Sequence, residues 1–522
     1  MKIVTAQQIR NIDRRAIKDF GISGSVLMEN AAAGVMAEMD RFFDGLSGMR
    51  VAIICGKGNN GGDGLALARR LSIRGIAVRV ALLASFGVLK GEAKANLFTL
   101  RKMDVELAQN ASVRDISDVV DWSHIVVDAM LGVGLSSPLK GVYAFAAELM
   151  NASGKPVVAV DIPTGINADT GEVMDTAVRA DLTVTMAALK RGLVLYPGAT
   201  YAGEVRVVDI GIPTEVIDKE KIAAGYLTAE TAGGLLHQRD RDAHKGTFGH
   251  LLVVAGSPGK TGAAIMTARG ALRTGAGLVS VATPHSLVPI VQAQLVEAMG
   301  VPSAESIEGT LGIGSDVELL KSAGSMNACI IGPGLSTHYE TVQVVRNLVQ
   351  RLTIPMVVDA DGLNALVGSL DILKKVKTPI VMTPHPGEMA RLLGSSSSDV
   401  QKDRVSCATG FAMKYKVTLV LKGAGTVIAT PDGRVFINST GNPGMATGGT
   451  GDVLTGMIGS LLAQGYTASQ AACLGVYLHG LAGDLAAKEK GEMGMIAGDL
   501  IEKIRAAIHE TMHGCELDHS RT

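Results

Sequence analysis

Near the C-terminal end, Gly441-Asn442-Pro443-Gly444-Met445-Ala446-Thr447-Gly448-Gly449-Thr450-Gly451-Asp452 runs straight into Val453-Leu454-Thr455-Gly456-Met457-Ile458. Glycines crowd a turn, and an apolar, helix-spaced run follows. Backbone N–H groups at such a helix start, with few side chains in the way, attract phosphate oxygens. Asp452 stands at the mouth of this anion trap, where a carboxylate repels the phosphate it faces. It makes sense there as a base that takes a proton from a hydroxyl while phosphate charge is held nearby. The plainer alternative is a helix cap in a glycine-rich loop.

A second glycine-rich stretch, Gly56-Lys57-Gly58-Asn59-Asn60-Gly61-Gly62-Asp63-Gly64, follows a buried-strand pattern over 51–55 and precedes a helix expected over 65–74. It matches GxGxxG from Gly56 to Gly61. A dinucleotide-binding unit also needs an acid at the end of the next strand. That strand, over 78–83, ends in Ala84-Ser85, which argues against an ordinary NAD dehydrogenase. The loop offers open backbone, two amides and a carboxylate, suited to a phosphate and to a cation. A tight turn rich in Gly and Asn is the competing reading. Later strands end in Asp128 and in Asp161-Ile162-Pro163-Thr164. Ligands of open parallel sheets bind beyond the carboxyl ends of the strands. Asn60, Asp128, Asp161 and Thr164 should therefore share one crevice, although a lone Asp after a strand is ordinarily a cap or turn residue.

Positioning these groups needs more than one core, and 522 residues at 47% hydrophobic content can supply two. The strand pattern over 205–210 closes a first α/β domain, a charged stretch follows, and the pattern restarts at His250. The expected domains are 1–225 and 226–522. Gly259-Lys260-Thr261 looks like part of a P-loop, but Val254 occupies the position that needs Gly. Further strands of the second half end at Gly332-Pro333-Gly334, Asp359-Ala360-Asp361, Pro384-His385-Pro386 and Lys422-Gly423-Ala424-Gly425-Thr426. His385, held between prolines, is either structural or a ligand contact. Asp359 and Asp361 either cap a helix or hold magnesium. Pro431-Asp432-Gly433 reads as a hairpin turn, and 467–487 as a long helix.

A net charge near −1 and 3% aromatics give no case for nucleic acid. No uncharged apolar run has membrane-spanning length, and Met1 to Gln8 lacks a signal-peptide core, so a cytoplasmic protein is expected. The five cysteines (Cys55, Cys329, Cys407, Cys473, Cys515) form no CxxC pair, and Cys55 and Cys329 read as buried thiols. His509-Glu510-Thr511-Met512-His513 fits the zinc-protease pattern HExxH. It lies in a polar tail with no packed scaffold expected after it. Adventitious metal binding through His509, His513 and His519 is the simpler account.

Taken together, the motifs resemble two known families. The first half, with Asn59-Asn60-Gly61-Gly62-Asp63-Gly64, Val127-Asp128-Ala129, Gly132-Val133-Gly134 and Val160-Asp161-Ile162-Pro163-Thr164-Gly165, is similar to NAD(P)H-hydrate epimerase domains. The second resembles ADP-dependent NAD(P)H-hydrate dehydratase domains of the ribokinase-like superfamily. It carries His244-Lys245-Gly246, Ile331-Gly332-Pro333-Gly334-Leu335, Thr383-Pro384-His385-Pro386-Gly387-Glu388, Leu421-Lys422-Gly423-Ala424 and Gly449-Thr450-Gly451-Asp452. The order is that of bifunctional bacterial repair enzymes.

The resemblance implies a Rossmann-like three-layer αβα domain followed by a ribokinase-like αβα domain. It implies substrates NADHX and NADPHX, nicotinamide nucleotides hydrated in the ring with a hydroxyl at C6. The first domain would interconvert their R and S forms, with Asp161 catalytic. Asn59, Asn60, Gly61, Gly62, Asp63, Gly132, Val133, Gly134, Leu135, Ser136, Ser137, Pro138 and Asp161 would contact the hydrate. Asn60, Asp128 and Thr164 would bind K+; the family often has Ser where this chain has Thr164, and both keep the hydroxyl. The second domain would dehydrate the S form at the expense of ADP (ATP in some relatives), aided by Mg2+. Lys422, Gly423, Ala424, Gly425, Thr426 and Gly451 would hold the AMP portion. Ala263, Gly334, His385 and catalytic Asp452 would meet the hydrate. A homo-oligomer is also implied. The alternative function is a ribokinase-like small-alcohol kinase fused to a non-catalytic nucleotide-binding module.

Overall fold

The computed structural model describes the backbone of residues 1–518 and the side chains of residues 1–514, so Cys515 and His519 lie outside the described side chains. The chain divides into two compact units, Lys2–Ala224 and Gly225–Thr522, the second of which includes Met1.

In the first unit, the short β-branched runs form seven strands in one sheet. Their order is Glu106–Gln109, Ala77–Leu82, Arg50–Cys55, Ile125–Ala129, Val157–Val160, Leu182–Met186 and Glu204–Val208, with every neighbour parallel. In chain order this is 3-2-1-4-5-6-7, the doubly wound arrangement with a switch point between Arg50–Cys55 and Ile125–Ala129. Alternate residues face opposite sides of a strand. Thus Val51, Ile53 and Cys55 pack with the helices Gly24–Phe42 and Asn59–Ile73 in one apolar cluster. Ala52 and Ile54 pack with the helices Val113–Trp122 and Val142–Ala152 in the other. Two cores on two faces make three layers. The helix expected from residue 65 begins at Asn59, so the two asparagines and Asp63 occupy its first turns rather than a loop.

The second unit holds a ten-stranded sheet. A parallel block runs Thr418–Leu421, Ile380–Met382, Met356–Val358, Ala328–Ile331, His250–Val254, Leu278–Pro284 and Met299–Ser303. An antiparallel extension, Val427–Ala429 and Val435–Asn438, turns at Pro431-Asp432-Gly433, and Ala224–Leu227 beside Val435–Asn438 is the tenth strand. One face packs against the helices Thr261–Thr274, Thr450–Ala463 and Ala468–Lys490. The C-terminal segment ahead of and through HExxH is helical. It forms the helix Ala497–Asp518, which buries Leu500, Ile501, Ile504 and Ala507 in the same core. The spacing of these apolar residues among charges is that of an amphipathic helix. Both units are α/β, as the motifs imply. Among the described residues, no helix is long and apolar enough to cross a membrane.

Candidate functional site

In the first unit, parallel strands deliver their carboxyl ends side by side. Gly56 N–H bonds to the Ala129 carbonyl at 3.0 Å and Asp161 N–H to that of Val184 at 2.8 Å. The glycines are required by close approach. A Cβ on Gly56 would lie 1.9 Å from the Met130 carbonyl oxygen, and one on Gly61 would lie 1.9 Å from that of Gly56. This packing pulls the start of helix Asn59–Ile73 against the Met130–Gly132 turn.

Asp128 is fully buried. Its carboxylate accepts from Thr164 N–H at 2.7 Å, Thr164 Oγ1 at 2.8 Å and Met130 N–H at 3.1 Å. Burial raises its pKa to about 6, against the pull of those three donors. Thr164 Oγ1 also accepts from Leu131 N–H at 3.0 Å, tying this pair to the Gly132 loop. Asn60 is buried, and neither its Oδ1 nor its Nδ2 has a partner. A Cβ on Gly132 would come within 3.5 Å of that amide oxygen. A buried amide left unpaired costs free energy. An unpaired amide oxygen, a carboxylate and a hydroxyl form a hard-oxygen set that fits a potassium ion.

Asp161 has positive φ (68°), an uncommon conformation outside glycine that turns it out of the strand direction. Its Oδ1 lies 2.5 Å from Lys190 Nζ and 3.2 Å from Thr185 Oγ1. Lys190 is 1% exposed and also donates to the Met186 carbonyl at 2.7 Å. Asp63 and Asp13 belong to the same charge cluster. Burial holds Asp63 well above the ordinary carboxylate range, with Asp161 and Asp13 adding repulsion and Lys190 opposing it. Burial likewise lifts Asp13 to about 6. Asn59, Gly61 and Gly62 share the helix start with Asn60 and Asp63. Val133, Gly134 and Leu135 continue the Gly132 loop, and Ser136, Ser137 and Pro138 follow it as exposed residues.

The second unit repeats the strategy. Consecutive strand ends are laced by backbone bonds: Gly332 to Val254, Asp359 to Ile331, Thr383 to Val358 and Lys422 to Pro384. Across these ends lies the start of helix Thr450–Ala463, with Gly449 left-handed (φ 92°) and Asp452 third in the helix. No side-chain hydrogen bond caps that helix, so the capping alternative for Asp452 has no support. Burial lifts the Asp452 pKa to about 7. Asp359, Asp361 and Glu388 add repulsion, while Lys422 opposes. These charges come from the other strand ends singled out in the sequence, so the segments converge on Asp452.

Lys422 Nζ bonds Asp359 Oδ1 at 2.8 Å, and a Cβ on Gly451 would sit 3.4 Å from that ammonium. Burial works against the Lys422 charge, but Asp359 and Glu388 outweigh it and hold its pKa up. Gly423 and Gly425 have positive φ, and Thr426 Oγ1 closes the loop onto the Gly423 carbonyl at 2.9 Å. Gly334 and Ala263 meet: a Cβ on Gly334 would lie 3.0 Å from that of Ala263. His385 caps helix Pro386–Leu393, its Nδ1 accepting from Gly387 and Glu388 N–H, with the Nε2 side half-exposed.

Asp359 caps no helix, since Ala360 holds the N-cap position of Asp361–Leu366. Its second oxygen accepts from Thr455 Oγ1 at 2.6 Å, so it ties Lys422 to the Thr450–Ala463 helix. Asp361 is engaged by Ser336 N–H at 2.8 Å, Asn364 Nδ2 at 3.1 Å and Lys260 Nζ at 3.2 Å. Among the described residues, no three His, Cys, Asp or Glu side chains are placed to hold a metal, the His509/His513 helix face included.

Residues 251–506 match the family described as NAD(P)H-hydrate dehydratase, and residues 24–192 match the YjeF-related protein N-terminus. The bifunctional NAD(P)H-hydrate repair enzyme of Moorella thermoacetica is 43% identical over 506 residues, spanning 96% of each chain. The chain belongs to the bifunctional NAD(P)H-hydrate repair enzymes. The Escherichia coli K12 member is 35% identical over 88% of this chain and 84% of its own. The ADP/ATP-dependent NAD(P)H-hydrate dehydratase of Bacillus subtilis, co-crystallised with ATP and Mg2+, is 32% identical. It spans 55% of this chain and 98% of its own, with a TM-score of 0.48. Relatives that match from end to end favour a repair enzyme over a kinase carrying a passive module.

Several residues of this repair-enzyme site escaped the sequence reading. Lys190 and Asp13 are distant in sequence from the Gly-rich loop, and only a lysine inside the apolar run Ala187-Ala188-Leu189 marks the first. Arg404, buried, donates to the carbonyls of Leu421, Lys422 and Ala424 and so shapes the 422–426 loop from below. His479, lowered to about 4 by burial, bonds through Nε2 to the Thr450 carbonyl at 2.9 Å and fixes the start of the Asp452 helix.

Proposed function

We propose that the chain repairs damaged nicotinamide nucleotides in two steps, epimerising the R and S hydrates of NADH and NADPH and dehydrating the S form with ADP or ATP. With ADP, the products are NADH or NADPH, AMP and phosphate.

Dehydration belongs to the second unit. Asp452, with a pKa near neutrality, takes the proton of the C6 hydroxyl as that oxygen attacks the terminal phosphoryl of the nucleotide. The P–O bond to AMP breaks as the new O–P bond forms. The helix-start amides at Gly449–Gly451 and the Lys422 ammonium stabilise the charge on the transferred group. The ring nitrogen then pushes electrons in, the C6–O bond breaks with phosphate as leaving group, and loss of the C5 proton restores the double bond. Hydroxide leaves poorly; phosphate leaves well. Lys422 to Thr426 and Gly451 hold the AMP portion, while Ala263, Gly334 and His385 flank the hydrate. Mg2+ would add positive charge to the transferring phosphoryl group, with Asp359 and Asp361 the strand-end carboxylates that would hold it or its waters.

Epimerisation belongs to the first unit. Asp161, paired with Lys190, is the base beside C6, and the elevated Asp63 carboxyl is able to donate a proton. Asn60, Asp128 and Thr164 would hold K+, which supplies positive charge to orient the substrate.

The observation that carries this reading is Asp452 at an uncapped helix start beside Lys422. Product analysis tests it: one AMP and one phosphate should form for each S hydrate converted. A stable phosphorylated product accumulating instead would mark a kinase.

A further inference from the structure

Beside the Gly56–Gly64 segment lies a cavity of 460 Å³ that no assigned residue occupies. Leu83, Ala84, Val88 and Leu131 give it apolar walls, and Lys57, Ser85, Asn110 and the Tyr143 hydroxyl are its polar lining. It sits beyond the carboxyl ends of Arg50–Cys55, Ala77–Leu82 and Glu106–Gln109, on the 3-2-1 side of the sheet, and reaches the switch point at Leu131 and Tyr143. Asp128, Asp161 and Thr164 follow strands of the other side. A dinucleotide lies across such a switch point with one mononucleotide on each half. With the nicotinamide end at Asp161, the adenosine end falls in this cavity, and Lys57 and Leu131 border both regions.

Its chemistry departs from an NAD site at one position. An acidic residue at the end of the second strand ordinarily bonds the ribose 2′-hydroxyl and repels a 2′-phosphate. Here that strand ends in Leu83-Ala84-Ser85, and none of the eight residues lining the cavity is acidic. Ser85 precedes a 3-10 turn, Phe86–Val88, without using its side chain to cap it. Asn110 is held at positive φ (52°), with its N–H bonded to the Ala84 carbonyl at 3.1 Å. An ammonium, a hydroxyl and an amide therefore share one cavity with no opposing carboxylate, a set suited to a phosphate monoester.

We infer that this cavity binds the adenosine ribose of the hydrated dinucleotide and accepts its 2′-phosphate through Lys57, Ser85 and Asn110. The inference rests on the first unit being an epimerase. It makes the phosphorylated hydrate, NADPHX, the better epimerisation substrate.

The test is epimerisation of purified NADHX and NADPHX by the full chain and by Ser85→Asp and Lys57→Ala, read as kcat/KM for each substrate. Both positions are exposed, and retained NADHX turnover reports that each variant is folded. Ser85→Asp should lower NADPHX turnover about a hundredfold through like-charge repulsion, and NADHX turnover less than about threefold. Lys57→Ala should lower NADPHX turnover about tenfold with NADHX little changed. An unchanged NADPHX/NADHX ratio, or equal losses on both substrates, overturns the inference while leaving the epimerase intact. If the unmodified chain epimerises neither hydrate, the epimerase reading itself fails.

Discussion

Replacing Asp452 by Asn should make the second unit more stable and nearly inactive, with both effects tied to pH. Asp452 is partly buried among Asp359, Asp361 and Glu388, and its pKa rises from 3.8 to about 7. A carboxyl held above its unfolded value binds protons more tightly when folded. The cost of ionising it is absent below the unfolded pKa, grows as pH rises, and is complete above the folded pKa. At about 1.4 kcal/mol per unit the ceiling is about 4 kcal/mol, and solvent screening of a partly exposed group brings this to roughly 2 kcal/mol. The neutral amide escapes the cost. Calorimetric unfolding should therefore give Asp452→Asn a higher midpoint for the second unit at pH 8, with the advantage shrinking towards pH 4. Dehydration should fall about 10²- to 10⁴-fold, the contribution of a positioned base, and unmodified kcat should rise with pH through about 7. Epimerisation should be unchanged. A variant less stable at every pH, or one that still dehydrates at the unmodified rate, refutes the reasoning.

Three further perturbations separate the two units. Lys190→Met removes the ammonium 2.5 Å from Asp161 and leaves that carboxylate without its counter-charge. Epimerisation should fall about tenfold or more while dehydration is unchanged, and an unchanged epimerisation rate contradicts the pairing. Exchanging K+ for tetramethylammonium should slow epimerisation about tenfold or more while sparing dehydration, and Asn60→Ala should abolish that sensitivity; equal rates in both salts contradict the cation site. Gly56→Ala places a Cβ 1.9 Å from a backbone carbonyl and should lower first-unit stability by about 3 kcal/mol, measured by urea unfolding followed at Trp122; an unchanged midpoint contradicts the close approach.

What the sequence disclosed is what is local in the chain. Gly-rich turns, polar strand ends and the Asp452 run each announce themselves within a dozen residues, because close backbone approach demands glycine and parallel strands place their functions at one end. What it withheld depends on register and long-range packing. Asp359 follows a strand like any cap, and only the fold sets it against both Lys422 and Thr455. Lys190 is recognisable as a counter-ion only once Leu182–Met186 lies beside Val157–Val160. Asn59 through Gly64 has low helix propensity, yet packing under the Met130 turn makes it the first turns of a helix. The tail failed for a different reason. HExxH drew attention to 509–513, while the residues that bury this helix, Leu500, Ile501, Ile504 and Ala507, lie upstream of it.

The most direct measurement supplies the full chain with mixed R and S hydrates, ADP, Mg2+ and K+, and follows the absorbance of regenerated dihydronicotinamide. Two active units predict complete recovery of both epimers, with AMP formed in equal amount. Recovery that stops at the S fraction, apart from slow spontaneous epimerisation, would contradict the first unit's role. No recovery at all would contradict the whole account.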